Sequence, residues 1–222
     1  MEKYYKAYDE RYKTIHTTLN KEWAGSTPSY ILKDLLTLIG ATTTSSILEI
    51  GCGEGQNAMY LLSEGFNVLA SDVSSSAISW CKSKTDRKDN FFVLDILDNE
   101  HTTCYDFIYS ISTLHMLVPD SDREQFFKFI YSHLNSGGKA IVTVMGDGEF
   151  EKTDCDITKA FELSERTTEE GEKVMVASTT CKIVSWGTLF KEIAASNLKV
   201  THHFITEEIS GFNKSMVVIV QK

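Results

Sequence analysis

Residues Ile47-Leu48-Glu49-Ile50-Gly51-Cys52-Gly53-Glu54-Gly55-Gln56-Asn57-Ala58 decide how this chain folds. A short aliphatic run suited to a buried strand meets glycines at alternate positions, and a helical pattern follows to about Ser63. Glycine lets the backbone turn sharply and approach a ligand closely. The helix that follows offers free N–H groups and the positive end of its dipole. Alone, such a turn establishes no more than a place where a ligand can sit.

Outward from it, strands alternate with helices. Upstream, residues 2–16 read as a helix with Tyr4, Tyr8 and Tyr12 recurring every fourth position and Tyr5 beside them. Ser26-Thr27-Pro28 reads as the opening of a second helix, Thr27 as its cap and Pro28 in its first position, where a missing N–H costs nothing. Its apolar stripe is Ile31, Leu32, Leu35, Leu36 and Ile39,. Downstream, strands are expected at 67–71 ending at Asp72, at 91–94 ending at Asp95, at 105–111 and at 139–145. Ser74 or Ser75 caps a helix between the first two, and a helix over about 121–134 is stopped by Asn135-Ser136-Gly137-Gly138,. Near-continuous apolar strands between helices mean a mostly parallel sheet covered on both faces. Residues 147–182 are polar and acidic and contain a predicted hairpin, Glu162 to Arg166 and Val174 to Val176, turning near Glu170-Gly171. After a helix over 185–195, strands 198–204 and 216–220 are joined too closely for a parallel crossover and must be antiparallel,. The expectation is an α/β, doubly wound, mostly parallel seven-stranded sheet with a terminal antiparallel pair.

With 222 residues, at about 150 residues per domain, the chain reads as one domain, 1–222,. Lys plus Arg number 22 against 31 Asp plus Glu, a net charge of −9. That balance disfavours a binder of the nucleic-acid backbone, which needs a basic face. The dense basic cluster, Lys82, Lys84, Arg87 and Lys88, reads as a solvated loop,. Five scattered cysteines without a C-x-x-C pair make neither a zinc ribbon nor a disulfide framework,. The start lacks an apolar signal core and no run of 18 apolar residues occurs, so the expectation is a cytoplasmic protein without membrane spans. His202 and His203 alternate across a strand and cannot share a metal,; no metal site is expected.

The glycines fit two readings. The dinucleotide fingerprint G-x-G-x-x-G fails from Gly51 at Gln56, but in its permissive form fits Gly53, Gly55 and Ala58,. Gly53, however, lies past the strand end, where the first glycine should close the turn. Glu49-x-Gly51-x-Gly53-x-Gly55 resembles motif I of class I S-adenosylmethionine-dependent methyltransferases, and the order of elements is similar to theirs over roughly residues 27–222. Within that family, residues 51–58 and the Tyr/Trp-bearing N-terminus resemble small-molecule enzymes of the tellurite/thiopurine-resistance type.

The resemblance implies S-adenosylmethionine as cofactor, S-adenosylhomocysteine as product, and a small-molecule acceptor. It implies that the backbone of Gly51, Cys52, Gly53 and Gly55, with Asn57 following, passes beneath the methionine part. Glu49 would hold backbone or the amino group, Asp72 the ribose hydroxyls, Val73 the adenine face, and Asp95 with the Ile96 N–H the adenine edge. Ser110 and Ile111 would present backbone near the methionine amino group. His115, on the rim where α/β ligands bind, is the candidate general base, expected to titrate near neutrality; the plainer reading packs it under the cofactor. Residues 1–26 are expected to form an aromatic lid, with Tyr12 or Trp23 over the cofactor, and 147–182 an insertion over the substrate rim. An NAD(P)-dependent oxidoreductase and a non-catalytic S-adenosylmethionine-binding module are the alternatives. A nucleic-acid methyltransferase is disfavoured by the charge and by Ser112-Thr113-Leu114-His115 standing where an Asn/Asp-Pro-Pro-Tyr/Phe tetrad would be.

Overall fold

The four residues Ile47–Ile50 form β1, buried along its length, and the sheet is built outward from it. The computed structural model describes residues 3–23, 27–98, 101–152, 156–167 and 171–222. Ser26, Cys155, Glu169 and Glu170 lie outside the described residues, as does the predicted turn at 170. Strands β2 (Val68–Asp72), β3 (Phe91–Val93), β4 (Tyr105–Ile111), β5 (Leu134–Met145), β8 (Lys199–Thr206) and β9 (Ser215–Gln221) complete a seven-stranded sheet in the order β3-β2-β1-β4-β5-β9-β8. The first five strands in that order are parallel; β9 runs antiparallel to both β5 and β8. The expected architecture is the one observed.

Alternation along the central strands feeds two cores. Leu48, Ile50, Ile108 and Val142 pack with Phe126, Phe127 and Ile130 of α5 (Asp120–His133) and Leu189 and Ile193 of α6 (Trp186–Ala194). Ile47, Tyr109, Ile111 and Ile141 pack with α2 (Ile31–Leu38), α3 (Gln56–Ser63) and α4 (Ser75–Lys84) on the other face. Chain direction around the sheet reverses between β1 and β4, which opens a crevice at the carboxyl ends of these strands.

Two boundaries differ from expectation. Helix α2 begins at Ile31, not at Pro28. The Ser29 N–H donates to Asn57 Oδ1 at 2.8 Å, which holds the preceding residues against α3 before the helix can start. The Gly137-Gly138 pair does not cap α5. The helix ends at His133 and the chain extends at once into β5, whose pairing with β4 slips between Tyr105 and Phe107. Gly137 stands at φ +76° in that irregularity, a bulge rather than a helix stop.

Outside the sheet, a 3₁₀ turn at Tyr4–Lys6 leads into α1 (Ala7–Thr18). β6 (Leu163–Thr167) and β7 (Lys173–Ala177) form a separate hairpin. Ile15 of α1 packs against Val174 and Val176, joined by Trp23. The buried Arg11 donates from Nε and Nη2 to the Ala177 carbonyl (3.1 and 2.7 Å) and from Nη2 to Ser178 O (2.8 Å). Tyr8 donates to Thr180 O at 2.9 Å.

Candidate active site

The crevice is shaped first by the turn after β1. Gly51 N–H and Cys52 N–H both donate to Ser71 O (2.8 and 2.9 Å), which folds the turn over the end of β2. Gly51 stands at φ +72°, and a β-carbon there would lie 2.2 Å from Thr113 Oγ1. Gly53, at φ +53°, would carry a β-carbon 2.8 Å from the Tyr12 hydroxyl. Only glycine admits both the conformation and the approach. Thr113 Oγ1 reaches Gly51 O (3.2 Å) and Ile50 O (3.3 Å), tying the post-β4 segment to the turn.

Asp72 closes β2 with both oxygens engaged: Oδ2 accepts from Gly53 N–H and Oδ1 from Ser74 N–H, each at 2.8 Å. Burial raises its pKa despite these bonds. Ser74 caps α4, its Oγ accepting from Ala77 N–H at 3.0 Å. Beneath the turn, Glu49 is fully buried and accepts from Tyr109 OH at 3.0 Å, with further support from Asn57 and the Ala58 N–H. Burial dominates those bonds and lifts its pKa to about 8. The Cys52 thiol, beside Cys81 and buried, is likewise pushed well up, which leaves it a poor nucleophile.

The resulting pocket holds about 630 Å³ counted out to its mouth. Its floor is Ile50, Gly51, Asp72, Val73, Leu94 to Leu97, Thr113, Met116 and Leu117; its roof is Tyr5, Tyr8 and Tyr12. Tyr5 OH donates to Asp95, 3.1 Å from Oδ1 and 3.0 Å from Oδ2, and Lys3 Nζ lies 3.4 Å from Oδ2. Asp9 Oδ1 accepts from Ser74 Oγ (2.7 Å) and Ser76 N–H (2.9 Å), which seats α1 on the start of α4. At the far end, buried Glu54 Oε1 accepts from Trp23 N–H at 2.7 Å and lies 2.8 Å from His16 Nε2. His16 in turn stacks on Trp80 at 4.2 Å.

Of the residues expected to meet a ligand, Gly51, Asp72, Val73, Asp95, Ile96 and Tyr12 line this pocket. Glu49, Cys52, Gly53, Gly55, Asn57, Ser110 and Ile111 shape it from behind: Gly55 caps α3, and Ser110 Oγ donates to Ile50 O at 3.0 Å. Trp23 does not cover the pocket; its ring lies 4.9 Å from the Arg11 guanidinium, because Glu54 holds its backbone at the outer end of α1. Tyr5, Tyr8, Thr113, Met116 and Leu117 are lining residues that the strand-end pattern alone did not single out.

His115 also departs from expectation. It is buried outside the pocket wall, with Phe212 against its ring at 5.5 Å. Burial, reinforced by the nearby Arg123 charge, drives its pKa down to about 4 rather than leaving it near neutral. Arg123, wholly buried on α5, fixes this segment: Nε and Nη2 grip the Glu192 carboxylate at 2.7 and 2.8 Å, and Nη1 donates to Leu114 O (2.9 Å) and Leu117 O (3.2 Å).

Glycine turn, strand-end carboxylates and strand order now stand together, and residues 47–138 match the family described as a methyltransferase domain. Over those residues, less than half of its length, the chain is similar to that family. A ubiquinone biosynthesis O-methyltransferase of Rickettsia typhi is 28% identical to it over 119 residues, 52% of this chain and 47% of that protein. The chain thus spans about half the length of the relatives it matches. The fold extends further than the sequence likeness. An S-adenosylmethionine-dependent methyltransferase from Clostridium acetobutylicum superposes with a TM-score of 0.65 at 13% identity, covering 96% of this chain and 98% of that one. The glycopeptide N-methyltransferase MtfA, solved with S-adenosylmethionine, gives 0.65 at 16% identity, covering 91% and 97%. The α1 roof and β6–β7 hairpin are therefore set around a fold shared with these structures.

Proposed function

We propose that this chain is an S-adenosylmethionine-dependent methyltransferase acting on a small-molecule acceptor in the cytoplasm, in the manner of the tellurite/thiopurine-resistance type. The observation that carries the reading is the roofed pocket at the ends of β1, β2 and β4. It joins a glycine turn that no β-carbon could enter to two strand-end carboxylates, Asp72 and Asp95, and an apolar wall. These residues fit the cofactor. Asp72 keeps lone pairs free beyond its two backbone bonds, enough for ribose hydroxyls. Val73, Leu94 and Leu97 supply an apolar slot for a purine, and Asp95 with Ile96 N–H its polar edge. Gly51 and Gly53 leave room for the amino-acid part, above Cys52, Gly55 and Asn57, with Ser110 and Ile111 backing it.

The bound cofactor supplies an activated methyl group on a sulfonium. The chain supplies orientation and exclusion of water. Tyr5, Tyr8 and Tyr12 close the pocket from above, and aromatic faces attract a cation. Glu49, held largely protonated near neutral pH by its burial, stabilises the turn without adding charge beneath it. The described residues of the N-terminal segment, 3–23, serve as the lid, and Ala177, Ser178 and Thr180 clasp it from outside through Arg11 and Tyr8.

Calorimetric titration with S-adenosylhomocysteine, with NADH in parallel, tests the reading. Binding of the former alone is expected, and Asp72→Ala should weaken it at least about tenfold, as losing a hydrogen bond to a charged group does. NADH binding alone, or affinity unchanged by Asp72→Ala, defeats the assignment. Absence of turnover with every acceptor tried would favour a non-catalytic binding module.

A further inference from the structure

The seven-stranded sheet ends on one side in β3, three residues long, and on the other in β8, eight residues long. Among the described residues no strand pairs with the outer side of β8. An edge strand turns the N–H and C=O of every second residue outward, a ready template for another strand. Native edges are kept from pairing by being short, as β3 is, or by proline, by lysine within the strand or by a bulge. β8 reads Lys199-Val200-Thr201-His202-His203-Phe204-Ile205-Thr206: it has no proline, and its lysine stands at the first position. Its pairing with β9 slips between Val200 and His202, but from His202 to Thr206 it is regular, against Ile219 to Ser215.

The side chains leave this edge equally open. Residues 199–203 and Ile205 are exposed, so two aliphatic groups, Val200 and Ile205, lie bare on the strand. His203 leans on Trp186 and Phe190 of α6, 5.0 Å from each ring, which carries an aromatic surface up to the edge. Charge is sorted along the strand: Lys199 opens it, and exposed Glu207 and Glu208 follow its end. A parallel copy of the strand would set like charge beside like. An antiparallel copy sets each lysine beside the acidic end of the other.

We propose that β8 is the contact surface for a second copy of this chain, the two β8 strands pairing antiparallel about a two-fold axis near His203. Such an interface is self-complementary. Each Lys199 meets Glu207 and Glu208 of the other copy, and the Val200 end of one strand falls near the Ile205 end of the other. The axis stands across the sheet, so the parallel strands of the two copies point in opposite directions. The two crevices then open at opposite ends of one continuous sheet, and β5 and β9 stand between the contact and each crevice.

Sedimentation velocity of the full chain from about 1 to about 300 µM, the range that a small interface calls for, should show a reversible doubling of mass. Hydrogen exchange compared at the two ends of that range should slow in residues 199–206. Lys199→Glu should weaken the dimer about tenfold or more, since it turns two attractions into two repulsions. Adding Glu207→Lys and Glu208→Lys to it should bring the affinity back to within about threefold. His203→Lys puts a charge opposite itself at the axis and should also weaken the dimer about tenfold or more. All four positions are exposed, so urea midpoints and S-adenosylhomocysteine affinity, measured alongside, should stay near those of the parent chain. A single mass over the whole range overturns the proposal, as does a dimer that Lys199→Glu and His203→Lys leave intact. Exchange that slows elsewhere but not in 199–206 overturns it too, and a loss in Lys199→Glu that the added lysines do not repair overturns the antiparallel pairing. None of these outcomes touches the methyltransferase reading.

Discussion

Replacing Gly51 by alanine puts a methyl group into Thr113, 2.2 Å from Oγ1, 2.5 Å from Cγ2 and 2.9 Å from Cβ. Two costs add. An alanine at φ +72° loses roughly 1–2 kcal/mol to left-handed strain, and the overpacking adds about 1–3 kcal/mol. A loss near 3 kcal/mol in a chain of this length lowers Tm by roughly 6–12 °C. The cause is separable. Thr113→Ala deletes the two closest atoms and, alone, costs about 1 kcal/mol for its bonds to Ile50 O and Gly51 O,. Urea unfolding of both single variants and the double should therefore show the double less destabilised than the sum by about 1–2 kcal/mol. Additivity within about 0.5 kcal/mol, or a Gly51→Ala cost below about 1 kcal/mol, would refute the close-approach argument.

Arg123→Met strands the Glu192 carboxylate and two carbonyls, so thermal denaturation should report a loss of about 3–5 kcal/mol. Glu49 carries a folded pKa of about 8 against 4.5 unfolded. Its contribution is full below the unfolded value and is lost as pH rises to the folded one; Glu49→Gln should flatten the fall in urea midpoint between these limits, and an unchanged slope would exclude Glu49 as its source. Tyr5 OH occupies both Asp95 oxygens. Calorimetry should find Asp95→Ala weakening S-adenosylhomocysteine about tenfold or more and Tyr5→Phe tightening it about two- to fivefold; weakening in Tyr5→Phe would mean that Tyr5 is a ligand contact rather than a competitor.

What the sequence made legible is local. Buried parallel strands are near-continuous aliphatic runs, so Ile47–Ile50 and Ala140 to Val144 declare themselves, and carboxylates just past such runs fall at the strand ends where Asp72 and Asp95 stand. The failures are those where a distant residue intervenes. Asn57 delays α2 through Ser29. The pairing of Leu134 with Tyr105 draws β5 back through the glycines that otherwise read as a stop. His115 reads as a neutral-range base until Phe212, far along the chain, is packed on it. Tyr5 was legible as one of the lid aromatics, but its bond to Asp95 was not, since that carboxylate lies ninety residues on.

The roof has a consequence for how the molecule is made. The anchors of α1 and the turn before it lie far ahead in the chain: Glu54, Ser74 and Ser76, then Asp95, and finally the carbonyls of Ala177 to Thr180 that Arg11 and Tyr8 seize. At about 5–20 residues per second, some 10–30 seconds of translation separate the birth of this helix from that of its last partner. Strands β1 to β5 and the glycine turn can assemble in that interval with the crevice still uncovered. A helix made before the crevice is thus seated after it, and a nascent chain meets its small ligands through an open door.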